Sequence, residues 1–250
     1  MAVKHETELY LPVKQMFEEE GYSVKGEVRH CDLVAYRDGE DDPIIVELKK
    51  TFNLALVFQV LERLKIAREV YAAVEYNPKK RVSTGSSWND AIRLCKKLGV
   101  GLIGVQYYKR KAPVVHILCQ PNADVPAGRR TAIGAKRLRS EFNKRSGDYN
   151  TGGSTGKKLV TAYREMSLRC AHALSLHETL SPRELREQLR EPKIADFLQK
   201  NYYGWFERVS RGRYRITEEG KLALTLYAEV VNILLQKNHL SNQLHPANEN

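Results

Sequence analysis

Residues 31–50 read CDLVAYRDGEDDPIIVELKK, two apolar runs flanking a turn-rich stretch. CDLVAY (31–36) and PIIVELKK (43–50) are β-branched or apolar, while RDGEDD (37–42) concentrates turn formers, so the segment reads as a hairpin with a slightly long loop. Its centre lies near residue 40, and antiparallel partners then sum to roughly 79–81. That register sets Asp32 opposite the segment Glu47 to Lys49. Strand side chains alternate, so Glu47 and Lys49 share one face and Ile44, Val46 and Leu48 take the other. A slip of one residue would separate Asp32 from them.

A carboxylate and an ammonium in a strand otherwise built for burial call for a reason. Two hard-oxygen ligands on adjacent strands suit Mg²⁺, which keeps several positions for water and substrate phosphate. Such an ion lowers the pKa of a bound water and neutralises charge on phosphoryl oxygens. Lys49, a compact and mobile point charge, fits beside it to hold the attacking oxygen or the charge of the transition state. The plainer expectation for an isolated E-x-K is a half-exposed strand whose outer face carries both residues to solvent.

The residues that follow bear on the choice. TFNLALVFQVLERLKIAREVY carries apolar residues near 54, 57, 58, 61 and 64 with Asn53 as N-cap, which predicts a helix over about 53–68 with Gln59 on it. In this context Asp32 and the Glu47-Leu48-Lys49 triplet resemble the signature of the PD-(D/E)XK nuclease superfamily, the restriction-endonuclease-like fold. The closer likeness is to a bacterial family grouped as PD-(D/E)XK phosphodiesterases. The proline of the superfamily's name is absent, since His30-Cys31 precedes Asp32.

The resemblance implies an α/β domain with a mixed sheet and flanking helices, and an endonuclease or phosphodiesterase activity that uses Mg²⁺, with Mn²⁺ as a substitute. It also implies roles: Asp32, Glu47, Lys49 and Gln59 catalytic, with Gln59 orienting water or contacting the backbone, and Asp32, Glu47 and Glu8 as metal ligands. Glu8 is carried over because superfamily members place an acid on an N-terminal helix, and Leu9, Val13, Met16 and Phe17 repeat at helical spacing. Pro12 removes the amide that would bond the carbonyl of residue 8, so that helix begins near Leu11 or kinks. Glu6 competes with Glu8 for the role.

The remainder of residues 1–122 reads as a strand (EVYAAVEY), a helix ending at Gly99 (SSWNDAIRLCKKLG) and two closing strands (GLIGVQYY and APVVHILC). With 250 residues, 42% hydrophobic content and a mean hydropathy of -0.50, the chain has room for two modest domains. No apolar run approaches the ~18–20 residues of a membrane span, and residues 1–8 have no apolar leader, so the expected compartment is cytoplasmic without membrane attachment. Four widely spaced cysteines, Cys31, Cys95, Cys119 and Cys170, form no C-x-x-C motif and read as reduced core thiols.

The net charge of +11 is unevenly distributed, with eleven basic residues against three acidic ones over residues 126–170. A segment of this kind suits a polyanion, by phosphate neutralisation and counterion release. The expected nucleic-acid contacts are Arg129, Arg130, Lys136, Arg137, Arg139, Lys144, Arg145, Lys157 and Lys158 within a basic linker over 123–157 and its edge. DNA is the expected partner with RNA also open, and a homodimer would match superfamily members that cut both strands. The SGDYNTGGSTGKKL stretch is not a Walker loop, because Gly152 to Gly156 encloses three residues and Lys157 is followed by Lys158.

Residues 158–240 read as a second, α+β domain. KLVTAYREMSLRCAHALS is helical; Ser181-Pro182-Arg183-Glu184 is a capping box with proline at the first helical position; IADFLQKN is a third helix. YGWFERV and YRIT form a hairpin around Gly212, and Thr217 caps one long helix to about Gln236. The order resembles a winged-helix domain, with Arg211 and Arg213 on the wing and the helix around residues 193–202 facing a groove. Residues 241–250 are an expected frayed tail. The alternative to a nuclease is a non-catalytic DNA-binding or regulatory protein that retains the fold.

Overall fold

A computed structural model describes residues 3–82, 85–124, 132–154 and 158–244, with side chains to residue 236. The chain divides into two compact units, Met1–Leu159 and Val160–Asn250.

The first unit is built on a six-stranded mixed sheet, as a restriction-endonuclease-like fold requires. Its strands are β1 (Ser23–Val28), β2 (Cys31–Tyr36), β3 (Ile44–Lys49), β4 (Glu69–Glu75), β5 (Gly101–Gln106) and β6 (Val114–Cys119), lying side by side in chain order. β3, β4 and β5 are mutually parallel, whereas β1–β2, β2–β3 and β5–β6 are antiparallel. The parallel steps carry the helical crossovers that such steps need: α2 (Leu54–Arg63) between β3 and β4, and α3 (Trp88–Leu98) between β4 and β5.

The hairpin register is the one the turn position dictates. Leu33 pairs with Val46, Val34 with Ile45 and Ala35 with Ile44, so partners sum to 79. Alternation then sorts the side chains into two cores. Leu33, Ala35, Ile44, Val46 and Leu48 pack with Leu9, Val13 and Phe17, the last two on α1 (Tyr10–Glu19). Val34 and Ile45 pack on the opposite face with Leu56 and Val60 of α2, Cys95 of α3, and Leu138 and Phe142 of α4 (Ala132–Lys144). β3 is therefore covered on both sides, and Glu47 is 1% exposed. The solvent-facing reading of E-x-K fails for that reason.

Three local expectations are adjusted. Pro12 falls in the first turn of α1, where a missing amide costs nothing, after a short 3-10 turn at Glu6–Leu9. α2 starts at the Asn53 cap, whose Oδ1 accepts from the Leu56 amide (3.0 Å), but stops at Arg63, because the amides of Ile66 and Ala67 both turn back to the Arg63 carbonyl. The segment expected as a linker carries α4 instead. Leu138 and Phe142 are buried in the sheet's core and the Phe142 ring meets that of Tyr36, so apolar burial fixes this stretch to the first unit.

The second unit contains α5 (Ala162–Ser175), α6 (Pro182–Leu189), α7 (Ile194–Lys200), the hairpin β7 (Phe206–Ser210) and β8 (Arg213–Ile216), α8 (Glu218–Leu226) and α9 (Ala228–Leu244). Its core gathers Leu168, Leu174, Leu185, Ile194, Leu198, Trp205 and Phe206. Ser181 and Glu184 form the capping box read from sequence. The expected single last helix is two, because Tyr227 leaves the helical region (φ -108, ψ 28). Cys31, Cys95, Cys119 and Cys170 are all free and buried.

Candidate functional site

The site begins where β2 and β3 start and end. Asp32 sits one residue beyond the last hydrogen-bonded pair of the hairpin, and its Oδ2 accepts from the Leu48 amide at 2.8 Å. The Glu47 carboxyl lies beside it, near enough for each acid to act on the other. Burial raises the carboxyl of Asp32 above its usual range. Burial, together with the neighbouring Asp32, pushes Glu47 up to about 7. Two carboxylates side by side inside a core require a compensating cation or a shared proton.

One such cation comes from α2. Arg63 Nε lies 2.5 Å from Glu47 Oε1, and the same guanidinium donates to the His30 carbonyl at 2.5 Å. Gln59 is one helical turn earlier, on the same side of α2, which is the i, i+4 relation. Two buried acceptors here have no hydrogen-bond partner among the described residues: Glu47 Oε2 and Gln59 Oε1.

Lys49, two residues beyond Glu47, ends the strand. Its Nζ pairs with Glu6, 3.2 Å from Oε1 and 3.3 Å from Oε2. The Glu6 charge also acts on Asp32. Glu8 is elsewhere. Its exposed carboxylate accepts from the amides of Lys4 and His5, both at 2.9 Å, which holds its pKa low. Of the two N-terminal acids it is thus Glu6, not the expected Glu8, that meets Lys49, because the 3-10 turn uses Glu8 as its own cap.

A third carboxylate joins the row. Gly26 pairs with Leu33 and Val28 with Cys31, so Glu27 stands opposite Asp32 on β1. Glu27 is 8% exposed at φ 53, and burial followed by the Asp32 charge raises its pKa. Its Oε1 accepts from the Ser154 amide at 3.1 Å. The midpoint arithmetic that paired Asp32 with Glu47 would have found Glu27 from the two-residue turn Arg29-His30. Arg63 carried a weaker signal, its spacing from Gln59.

The glycine-rich stretch rejected as a Walker loop closes over these acids. A Cβ on Gly152 would come within 2.2 Å of the Asp32 carbonyl oxygen, so only glycine fits. The approach to it is clamped: Arg145 donates to the carbonyls of Gly26 (3.0 Å) and Glu27 (2.8 Å), and Asp148 takes the Tyr10 hydroxyl, Lys14 and the Gly26 amide.

Among models of protein families, one described as "Putative PD-(D/E)XK phosphodiesterase" matches residues 103–223. Over that stretch, just under half of the chain, the sequence is similar to this family. The match runs from β5 to α8, so Asp32, Glu47, Lys49 and Gln59 all precede it. No curated protein and no solved structure matches the chain.

PD-(D/E)XK enzymes generally use divalent metals, and the residues present fit one. The donors are hard oxygens, and the orphaned Glu47 Oε2 and Gln59 Oε1 are buried acceptors for which a cation or its water would provide the missing partner. Among the described residues no group of three or more His, Cys, Asp or Glu is arranged to hold a metal.

The expected nucleic-acid contacts separate into groups. Arg145 is 3% exposed and committed to the β1 carbonyls and Glu141, so it is structural, a buried guanidinium satisfied by fixed acceptors. Arg139 pairs with Asp41 and Arg213 with Glu184. Lys136, Arg137, Lys144, Lys158 and Arg211 are exposed. Arg129, Arg130 and Lys157 lie outside the described residues. No helix among the described residues is long and apolar enough to cross a membrane.

Proposed function

We propose that this protein is a divalent-metal-dependent phosphodiesterase that hydrolyses the DNA backbone, with Mg²⁺ held by Asp32 and Glu47. The observation that carries this reading is the buried Glu47, its Oε2 left unpartnered, beside Asp32 on the Leu48 amide, in a strand that ends in Lys49.

When bound, the ion supplies a water of lowered pKa and neutralises phosphoryl charge. Lys49, kept in place by Glu6, donates to the attacking oxygen or to the phosphoryl oxygens as their charge grows. The Gln59 amide orients water, and Arg63 fixes the rotamer of Glu47 while leaving Oε2 available. Lys136, Arg137, Lys144 and Lys158 offer exposed charge for the duplex. The three helices, hairpin and following helix of the second unit are proposed as a winged helix, with Arg211 at the tip of its wing and α7 as the groove element.

A second reading has its own observation. Arg63 already compensates Glu47, which is what a retained fold without turnover would need, and a non-catalytic DNA-binding protein would keep it. One experiment separates the two. Duplex, branched and single-stranded DNA are incubated with Mg²⁺ or Mn²⁺ and wild type, Asp32→Ala or Lys49→Ala. Cleavage by wild type alone supports the phosphodiesterase; binding without cleavage of any form supports the second reading; cleavage that survives both substitutions removes Asp32 and Lys49 from the site.

A further inference from the structure

Beside the carboxylates lies an open cleft of about 660 Å³. Lys4, Glu6, Lys49, Lys50 and Ser154 line it, drawn from the N-terminal segment, the end of β3 and the glycine-rich stretch. The segment bearing Lys4 is anchored, since Val3 is 1% exposed with its amide on Glu75 (3.1 Å), and the Tyr107 hydroxyl donates to the Glu8 carbonyl (2.8 Å).

The charges in this cleft do not balance. Glu6 is its single carboxylate and is engaged by Lys49. Lys4 and Lys50 are exposed, and neither takes part in an ion pair among the described residues. Two ammonium-bearing side chains from separate segments lining one concave surface, beside a carboxylate already engaged by Lys49, favour an anion. The volume falls within the roughly 300–1,000 Å³ of small-ligand sites, enough for a nucleotide.

We propose that this cleft seats a second phosphate group of the polynucleotide, next to the phosphodiester at Lys49, with Lys4 and Lys50 as its cationic partners. This rests on the phosphodiesterase reading and names its substrate as a strand with consecutive phosphates rather than an isolated diester. Lys49 then faces the reacting phosphate, while Lys4 and Lys50 set the strand's register by contacts that carry no sequence information.

The test is binding, read without turnover. Fluorescence anisotropy of a 5′-fluorescein ten-nucleotide single-stranded DNA is measured in EDTA across a salt series. The proteins are wild type, Lys4→Gln/Lys50→Gln, and Lys96→Gln/Lys97→Gln, which removes the same charge from exposed positions of α3. The expected result is weaker binding by the Lys4/Lys50 variant with a salt slope smaller by about 0.7, the value for one single-strand phosphate contact, and near-wild-type behaviour of the α3 variant. Equal slopes for all three proteins, equal losses in both variants, or no binding by wild type would overturn the proposal. Because no cleavage is involved, an inactive wild type that still shows the Lys4/Lys50 effect would sink the enzymatic reading alone.

Discussion

Arg63 of α2 holds Glu47 of β3 through a 2.5 Å contact between Nε and Oε1, and this pair ties the first crossover helix to the buried floor of the candidate site. The Glu47 side chain is 1% exposed and the Arg63 side chain 20%. A pair of this kind contributes little net stability over an apolar pair, yet removal of one partner leaves an uncompensated charge.

Arg63→Ala is accordingly expected to cost about 3–5 kcal/mol in urea unfolding, the range for breaking a buried pair. Adding Glu47→Gln should recover a large part of that loss. Strict additivity of the two substitutions would show that the pair is not coupled as the geometry requires.

In metal-free protein, Glu47 provides a pH test. Its folded pKa is raised to about 7 by burial and by Asp32, so the folded state retains a proton that the unfolded chain has released between pH ~4.5 and ~7. The penalty is absent below the unfolded value and complete above the folded one. Wild type in EDTA should therefore lose stability relative to Glu47→Gln as pH rises across that window. A difference between the two proteins that stays flat from pH 4.5 to 8 would contradict the burial-driven shift.

Metal binding and catalysis should separate at Lys49. Asp32→Asn and Glu47→Gln are expected to abolish the thermal shift produced by Mn²⁺ as well as cleavage. Lys49→Ala should keep the shift while cleavage falls about 10²–10³-fold, the usual effect of losing one transition-state donor. A vanished metal shift in Lys49→Ala would mean that this residue supports the ion site instead.

Gly152→Ala puts a methyl group within 2.2 Å of the Asp32 carbonyl oxygen, which is backbone and cannot swing aside. The expected outcome is a displaced 150–154 segment, seen as faster amide exchange at Ser154, whose amide now bonds Glu27. Unchanged exchange would indicate that the segment does not rest on Asp32.

The cations should divide by burial. Lys136→Gln/Arg137→Gln leaves the core untouched and is expected to weaken DNA binding and reduce its salt slope by about 1.8, at about 0.9 per duplex phosphate contact. Arg145→Met should instead lower the melting temperature, because the carbonyls of Gly26 and Glu27 lose buried donors. The opposite pattern would reverse the two assignments.

Sequence alone determined the features whose causes are local. The turn at RDGEDD set the register that brings Asp32 to Glu47, the Asn53 cap set the start of α2 and so the turn on which Gln59 lies, and Ser181 with Glu184 opened α6. Each needs only residues close in the chain, where alternation, capping and turn chemistry act without knowledge of the rest. Tertiary structure decided the partners. Arg63 on Glu47, Glu6 rather than Glu8 on Lys49, and Arg145 with Gly152 packed on β1 and β2 join segments 16 to about 120 residues apart. The basic stretch shows why composition could not foresee this. Its charge promised a linker, but Leu138, Phe142 and the carbonyls awaiting Arg145 gave it a place in the core, and buried contacts outweigh the preference of a few cations for solvent.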